Sequence, residues 1–160
     1  MWAICLREPG IAAADRLAVI ARIEEVFRTS SDRPLLEGAR TALAQTAITD
    51  EPELRQRIAD VMVAQGMLSR AAADRIPTLA ATRKRLPRVR GRLLDPRACR
   101  IPGEAAPGVL LVDCTQYVEP GCNDWKHRAE VVFHVGARGW KQSKLRVERH
   151  YTGEYCLRVE

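Results

Sequence analysis

Aromatic rings are scarce in this chain: three Trp, three Tyr and two Phe among 160 residues. A small sheet would consume most of them in its core, which excludes an extensive aromatic binding surface. The five cysteines (Cys5, Cys99, Cys114, Cys122 and Cys156) are odd in number and irregularly spaced. Disulfide scaffolds of secreted proteins carry paired and denser cysteines, so a reducing cytoplasm is the expected compartment. No run approaches the roughly 20 consecutive apolar residues of a membrane span, and no membrane partner is expected. The apolar start, MWAICLREPG, is too short for a signal peptide and has no leading basic region. Missing too are GxSxG, a phosphate-cradling glycine loop and HExxH. No catalytic residue is nominated, and a non-enzymatic protein without a cofactor is expected.

Two weaker chemistries fail on spacing. Cys99, Cys114, Cys122, His127, His134, His150 and Cys156 all fall in the second half. Zinc sites with clear signatures place ligands in close pairs such as C-x2-C, and none occurs, so no metal is expected. Cys114 lies among apolar neighbours, where a free cysteine acts as a small hydrophobe. Asp113, followed by Asp124-Trp125-Lys126, resembles the D…(D/E)xK pattern of metal-dependent nucleases, in which two acids hold a divalent ion. That pattern needs its second acid on a buried strand, whereas Asp124 follows Pro-Gly-Cys-Asn and reads as turn.

What is present is an ordinary globular composition, 46% apolar and 29% charged, with a net charge of +6. The first half has helical spacing. Over 11–28, Ile11, Ala14, Leu17, Ala18, Ala21, Val26 and Phe27 fall near one face. Pro34 suits the first turn of a second helix. Asp50 with Glu53 resembles a capping box for a third, carrying Leu54, Ile58, Val61 and Met62 and stopped by Gly66. Ser69 caps a short helix that Pro77 ends, and a last piece, TLAATRKRL, runs into Pro87. The second half reads as strands: RVRGRLL, GVLLVDCTQYV, AEVVFHV, SKLRVERHY and EYCLRVE, separated by turn residues. MWAICL reads as a further, N-terminal strand of that sheet. The fold class is therefore α+β: four or five helices over 1–86, then an antiparallel sheet or barrel of about five strands over 87–160, as two units or one compact domain.

The charge is concentrated at the junction. Residues 82–100 hold eight Arg or Lys against the single acid Asp95, an excess of +7 where the whole chain carries +6. Arg83, Lys84, Arg85, Arg88, Arg90 and Arg92 are the candidate phosphate contacts. Read as one strand, Arg88, Arg90 and Arg92 project from a single face. The segment 67–86, with small Ala73, apolar Ile76 and basic Arg83–Arg85, resembles a generic winged helix-turn-helix, with RVRGRLL where the first wing strand stands. The resemblance implies that Ala81–Arg85 meet the major groove. Pro77 stands where such turns generally carry Gly, and the plainer reading is a helical hairpin packed on the sheet.

The β half adds Trp125 with Lys126, and Trp140 with Lys141, rings beside cations in turn-rich surroundings. Exposed rings stack on the bases of single strands while cations follow the backbone. Two function classes follow: a nucleic-acid-binding protein, DNA or RNA, or an interaction module such as an inhibitor or adaptor whose basic patch docks an acidic protein. Arg forks pair with phosphate in bidentate geometry and favour the first. A solvated edge strand guarded by charge gives the same pattern.

Overall fold

Two secondary-structure classes follow each other along the chain, as the change of periodicity predicts. The computed structural model describes residues 2–8, 10–118, 125–151 and 153. Among these residues six helices come first: α1 (Trp2–Arg7), α2 (Ala13–Thr29), α3 (Arg33–Thr46), α4 (Pro52–Ala64), α5 (Arg70–Ala73) and α6 (Leu79–Arg85). A two-stranded hairpin, β1 (Arg88–Val89) and β2 (Arg92–Leu93), and a 3-10 turn at Pro96–Ala98 lead into β3 (Cys99–Ala106), β4 (Val109–Tyr117), β5 (Trp125–Gly136) and β6 (Gly139–Tyr151). The last four form an open antiparallel sheet in the order β3-β4-β5-β6, not a barrel. The expected strand at EYCLRVE lies outside the described residues.

Side-chain size decides which helix faces turn inward. In α2 the buried residues are Ile20 and Ile23, while Ala14, Ala18 and Ala21 face solvent. The alanine-based face expected from spacing is therefore displaced. An isoleucine buries far more apolar area than an alanine, so two of them outweigh three methyl groups. On α3 the buried set Ala39, Ala42, Leu43 and Thr46 follows the i, i+3, i+4, i+7 rule. On α4 the expected Leu54, Ile58, Val61 and Met62 are all buried, and Gly66 takes φ +69° just beyond it.

Three other expectations change. MWAICL is not a strand: α1 packs on α2 and α3 and buries Leu6 among them. Asp50 does not cap α4, whose N-cap is Glu51. The Asp50 Oδ1 instead accepts from Ala80 N at the start of α6, 3.2 Å away, tying the α3–α4 connection to that helix. The third change is β3, which contains Pro102 and Gly103 and so reads as turn. It is an edge strand with two register shifts, where a proline costs no ladder bond.

One face of the sheet is the core. Cys99, Ile101, Leu110, Val112, Cys114, Val131 and Phe133 are buried there against the helices. The other face carries Arg100, Asp113, Arg128, Glu130 and Lys144, half-buried or exposed. On β6 the register slips by one residue between Val132 and Phe133, leaving Ser143 without an opposite number. Trp140 and Gln142 therefore share the inner face with Leu145 and Val147. These last two are nonetheless 47% and 42% exposed, because among the described residues α6 meets β6 at Trp140 and leaves this later part of the strand open.

Cys99 and Cys114 are register partners and are joined by a disulfide. This corrects the reading of Cys114 as a free thiol. The sequence separation of 15 corresponds to about 3 kcal/mol of loop-closure stabilisation. Reduction, or the Cys99→Ala/Cys114→Ala pair, is expected to lower unfolding free energy by about that amount. Identical urea midpoints with and without reductant are the contrary result.

Candidate nucleic-acid interface

The helix that carries the first three candidate cations is fixed from both ends. Thr78 caps α6 through a 3.0 Å bond from Ala81 N, and Pro87 follows its last turn. Thr82 is fully buried, its hydroxyl bonded to the Thr78 carbonyl at 2.8 Å, so it cannot reach a ligand. Arg83, Lys84 and Arg85 are exposed. Arg83 and Arg85 point about 200° apart, since each helical residue turns by about 100°. Arg85 lies over the Trp140 ring, 5.9 Å from its centroid. Arg83 instead lines a groove shared with Arg7, Arg16 and Arg97. The four residues of α5 are separated from α6 by residues 74–78, in which Ile76 and Pro77 are buried.

Arg88, Arg90 and Arg92 do not share one face of one strand. The chain turns back at Arg90-Gly91, with φ of +51° and +77°. Those signs define a type I′ hairpin, with Val89 opposite Arg92 and Arg88 opposite Leu93. Val89 anchors the hairpin in the core, and Leu94 is buried just beyond it. Arg88 donates to the Gly91 carbonyl at 3.3 Å. Arg92 lines a shallow cleft with Tyr117 and Val118 at the end of β4. The single-face expectation is thus replaced by three guanidiniums around a protruding loop. Among the described residues, no carboxylate pairs with Arg83, Lys84, Arg85, Arg88 or Arg92 within 4.0 Å.

The two tryptophans part company. Trp125 opens β5 rather than lying in a turn, and it is 43% exposed. The Arg149 guanidinium lies 4.8 Å from its ring centroid, and Tyr151 sits 5.2 Å away, tilted by 57°. Trp140 is half-buried and packs edge-on against Phe133 at 5.3 Å, which corrects its expected exposure. Trp140 is opposite Val135, so the rings stand about 33 Å apart along the ribbon, at roughly 3.3 Å per residue. They cannot hold neighbouring bases. Lys126 and Lys141 project from the opposite sheet face, Lys126 half-buried and Lys141 exposed.

Sequence spacing misses a second cationic feature. Arg7 from α1, Arg97 from the 3-10 turn, Arg100 from β3 and Arg128 from β5 converge on a cavity of about 570 Å³. Arg7 and Arg97 also line the neighbouring groove that holds Arg83. Partial desolvation lowers the Arg7 pKa from its ordinary value, while the nearby Asp95 charge raises it. Arg97 and Arg100 belong to the basic run, but Arg7 and Arg128 are brought in only by the topology. Among the described residues no group of three or more His, Cys, Asp or Glu is placed to hold a metal. Asp113 is engaged by Arg100 at 3.3 Å, and Asp124 lies outside the described residues. No helix of the described residues is long and apolar enough to cross a membrane. No protein family, curated protein or solved structure matches this chain.

Proposed function

We propose that the protein binds nucleic acid without catalysis, gripping phosphates with Arg83, Lys84 and Arg85 at the end of α6 and with Arg88, Arg90 and Arg92 on the hairpin. The observation that carries this reading is Arg90. It holds a left-handed φ of +51° at the hairpin tip, where Gly, Asn or Asp is the usual residue. A side chain with a Cβ is strained there by about 1 kcal/mol. A guanidinium kept at a protruding tip despite that strain is placed for a ligand. Trp125 is the one candidate ring suited to stacking, with Lys126 beside it in sequence; Trp140 and Lys141 are secondary. The compartment that suits such a ligand is the cytoplasm. There the Cys99–Cys114 bond would persist because both sulfurs are buried away from attacking thiolates.

The deciding measurement is affinity for single- and double-stranded DNA and RNA across a salt series. Neutralising Z phosphates makes log K fall against log salt with a slope near −0.9Z for duplex, or about −0.7Z for single strands. A steep slope is expected, and a flat one removes the proposal. Trp125→Ala is expected to cost about 1–3 kcal/mol of single-strand affinity with little change in slope. Equal affinity in that folded variant would show that the ring does not stack. The exposed apolar Leu93, Leu145 and Val147 favour the second reading, a docked acidic protein. Capture of a protein partner that survives nuclease treatment, with no nucleic-acid binding, is the outcome that selects it.

A further inference from the structure

The arginine-walled cavity between α1, the 3-10 turn and the charged sheet face has a charge balance that names its ligand. Among the described residues its wall holds four guanidiniums and two carboxylates, Asp113 and Glu130. Both acids are already engaged. Asp113 meets Arg100 at 3.3 Å and the Thr115 hydroxyl at 3.3 Å, and Glu130 meets Lys144 at 2.8 Å. Arg7 donates to the Gln45 carbonyl, and Arg97 lies 3.8 Å from Asp95, whose Oδ1 also caps the Arg97 amide at 2.9 Å. Arg128 has no carboxylate within 4.0 Å among the described residues. An excess of two positive charges is left facing the cavity.

We propose that this cavity binds a phosphate monoester carried on a sugar, with Arg7, Arg97 and Arg128 as its phosphate ligands. A monoester carries about −1.5 to −2 at neutral pH, which matches the excess, whereas an internal phosphodiester carries only one charge. Guanidinium forks suit its oxygens, and the three come from three different elements, so they approach from separate directions. The volume lies within the range of small-ligand sites. Among the described residues no aromatic ring lines the wall, so recognition runs through phosphate and hydroxyl groups rather than through a base. Such a monoester comes either from a free sugar phosphate or from the 5′ end of a strand. The groove shared through Arg7 and Arg97 leads from Arg83 to this cavity. The strand-end source rests on the nucleic-acid reading above; the free-ligand source does not.

Calorimetry with ribose 5-phosphate, against ribose as control, tests the cavity alone. Matched 5′-phosphorylated and 5′-hydroxyl oligonucleotides test the strand end. The expected result is saturable binding of ribose 5-phosphate but not ribose, weakened at least about tenfold (about 1.4 kcal/mol) in Arg128→Gln. Arg97→Gln, at a largely exposed position, gives the same direction with no risk to the fold. A 5′-phosphate preference lost in both variants assigns the strand end. Ribose 5-phosphate binding without that preference assigns a free sugar phosphate and leaves the proposal standing even if the hairpin binds no nucleic acid. No ribose 5-phosphate binding together with no 5′-phosphate preference overturns it, as does binding unaffected by either variant.

Discussion

Replacing Arg88, Arg90 and Arg92 together by Ala is expected to weaken nucleic-acid binding by about 1,000-fold or more, at about 1.5 kcal/mol per lost charge-assisted contact. The sheet should stay folded, because all three side chains are exposed and the hairpin is anchored by Val89. The salt slope should become shallower by about 2.7 on duplex DNA, the share of three phosphates. Filter binding at several salt concentrations, with circular dichroism as the folding control, reads both quantities. Full affinity with an unaltered slope would remove the hairpin from the interface. A loss of affinity without a change of slope would mean that the arginines act through shape rather than charge.

The second large effect belongs to the core. Phe133 is buried toward the end of β5 and meets Trp140 edge-on. Phe133→Ala is expected to cost about 3–5 kcal/mol of stability by opening a cavity between the sheet and the helices. Trp140 would lose its ring partner, and its emission should shift to the red as water reaches it. Trp140→Ala should cost less, because that ring is only half-buried. Urea unfolding followed by circular dichroism gives the ranking. A Phe133→Ala loss below about 1 kcal/mol would mean that the sheet face is not packed as described.

The helical half was legible where a single residue has a single physical use. Ser69 caps α5, Gly66 turns left-handed after α4, and Pro87 marks the passage from helix to strand. Side-chain periodicity located β4 and β5 because their inner positions are large and apolar. It failed where the information is not local. Asp50 serves a helix 30 residues away, and β3 tolerates Pro102 only because it lies at an edge. RVRGRLL alternates like a strand, yet Arg90-Gly91 turns it back on itself. At the candidate site, the basic run was plain in the sequence. The convergence of Arg7 and Arg128 on it depends on how α1 and β5 are brought together, which no spacing along the chain encodes.

Ser143 has a consequence of its own. With no opposite number on β5, this residue resets the odd-even phase of β6, so even-numbered residues before it and odd-numbered ones after it share the inner face of the sheet. Deleting it would therefore remove the bulge and restore one unbroken alternation, with Lys144 still opposite Val132, Gln142 still opposite Phe133 and Trp140 still opposite Val135. A one-residue loss is thus absorbed at Ser143 itself. The same loss farther along β6 would turn the residues between it and Ser143 over to the opposite face.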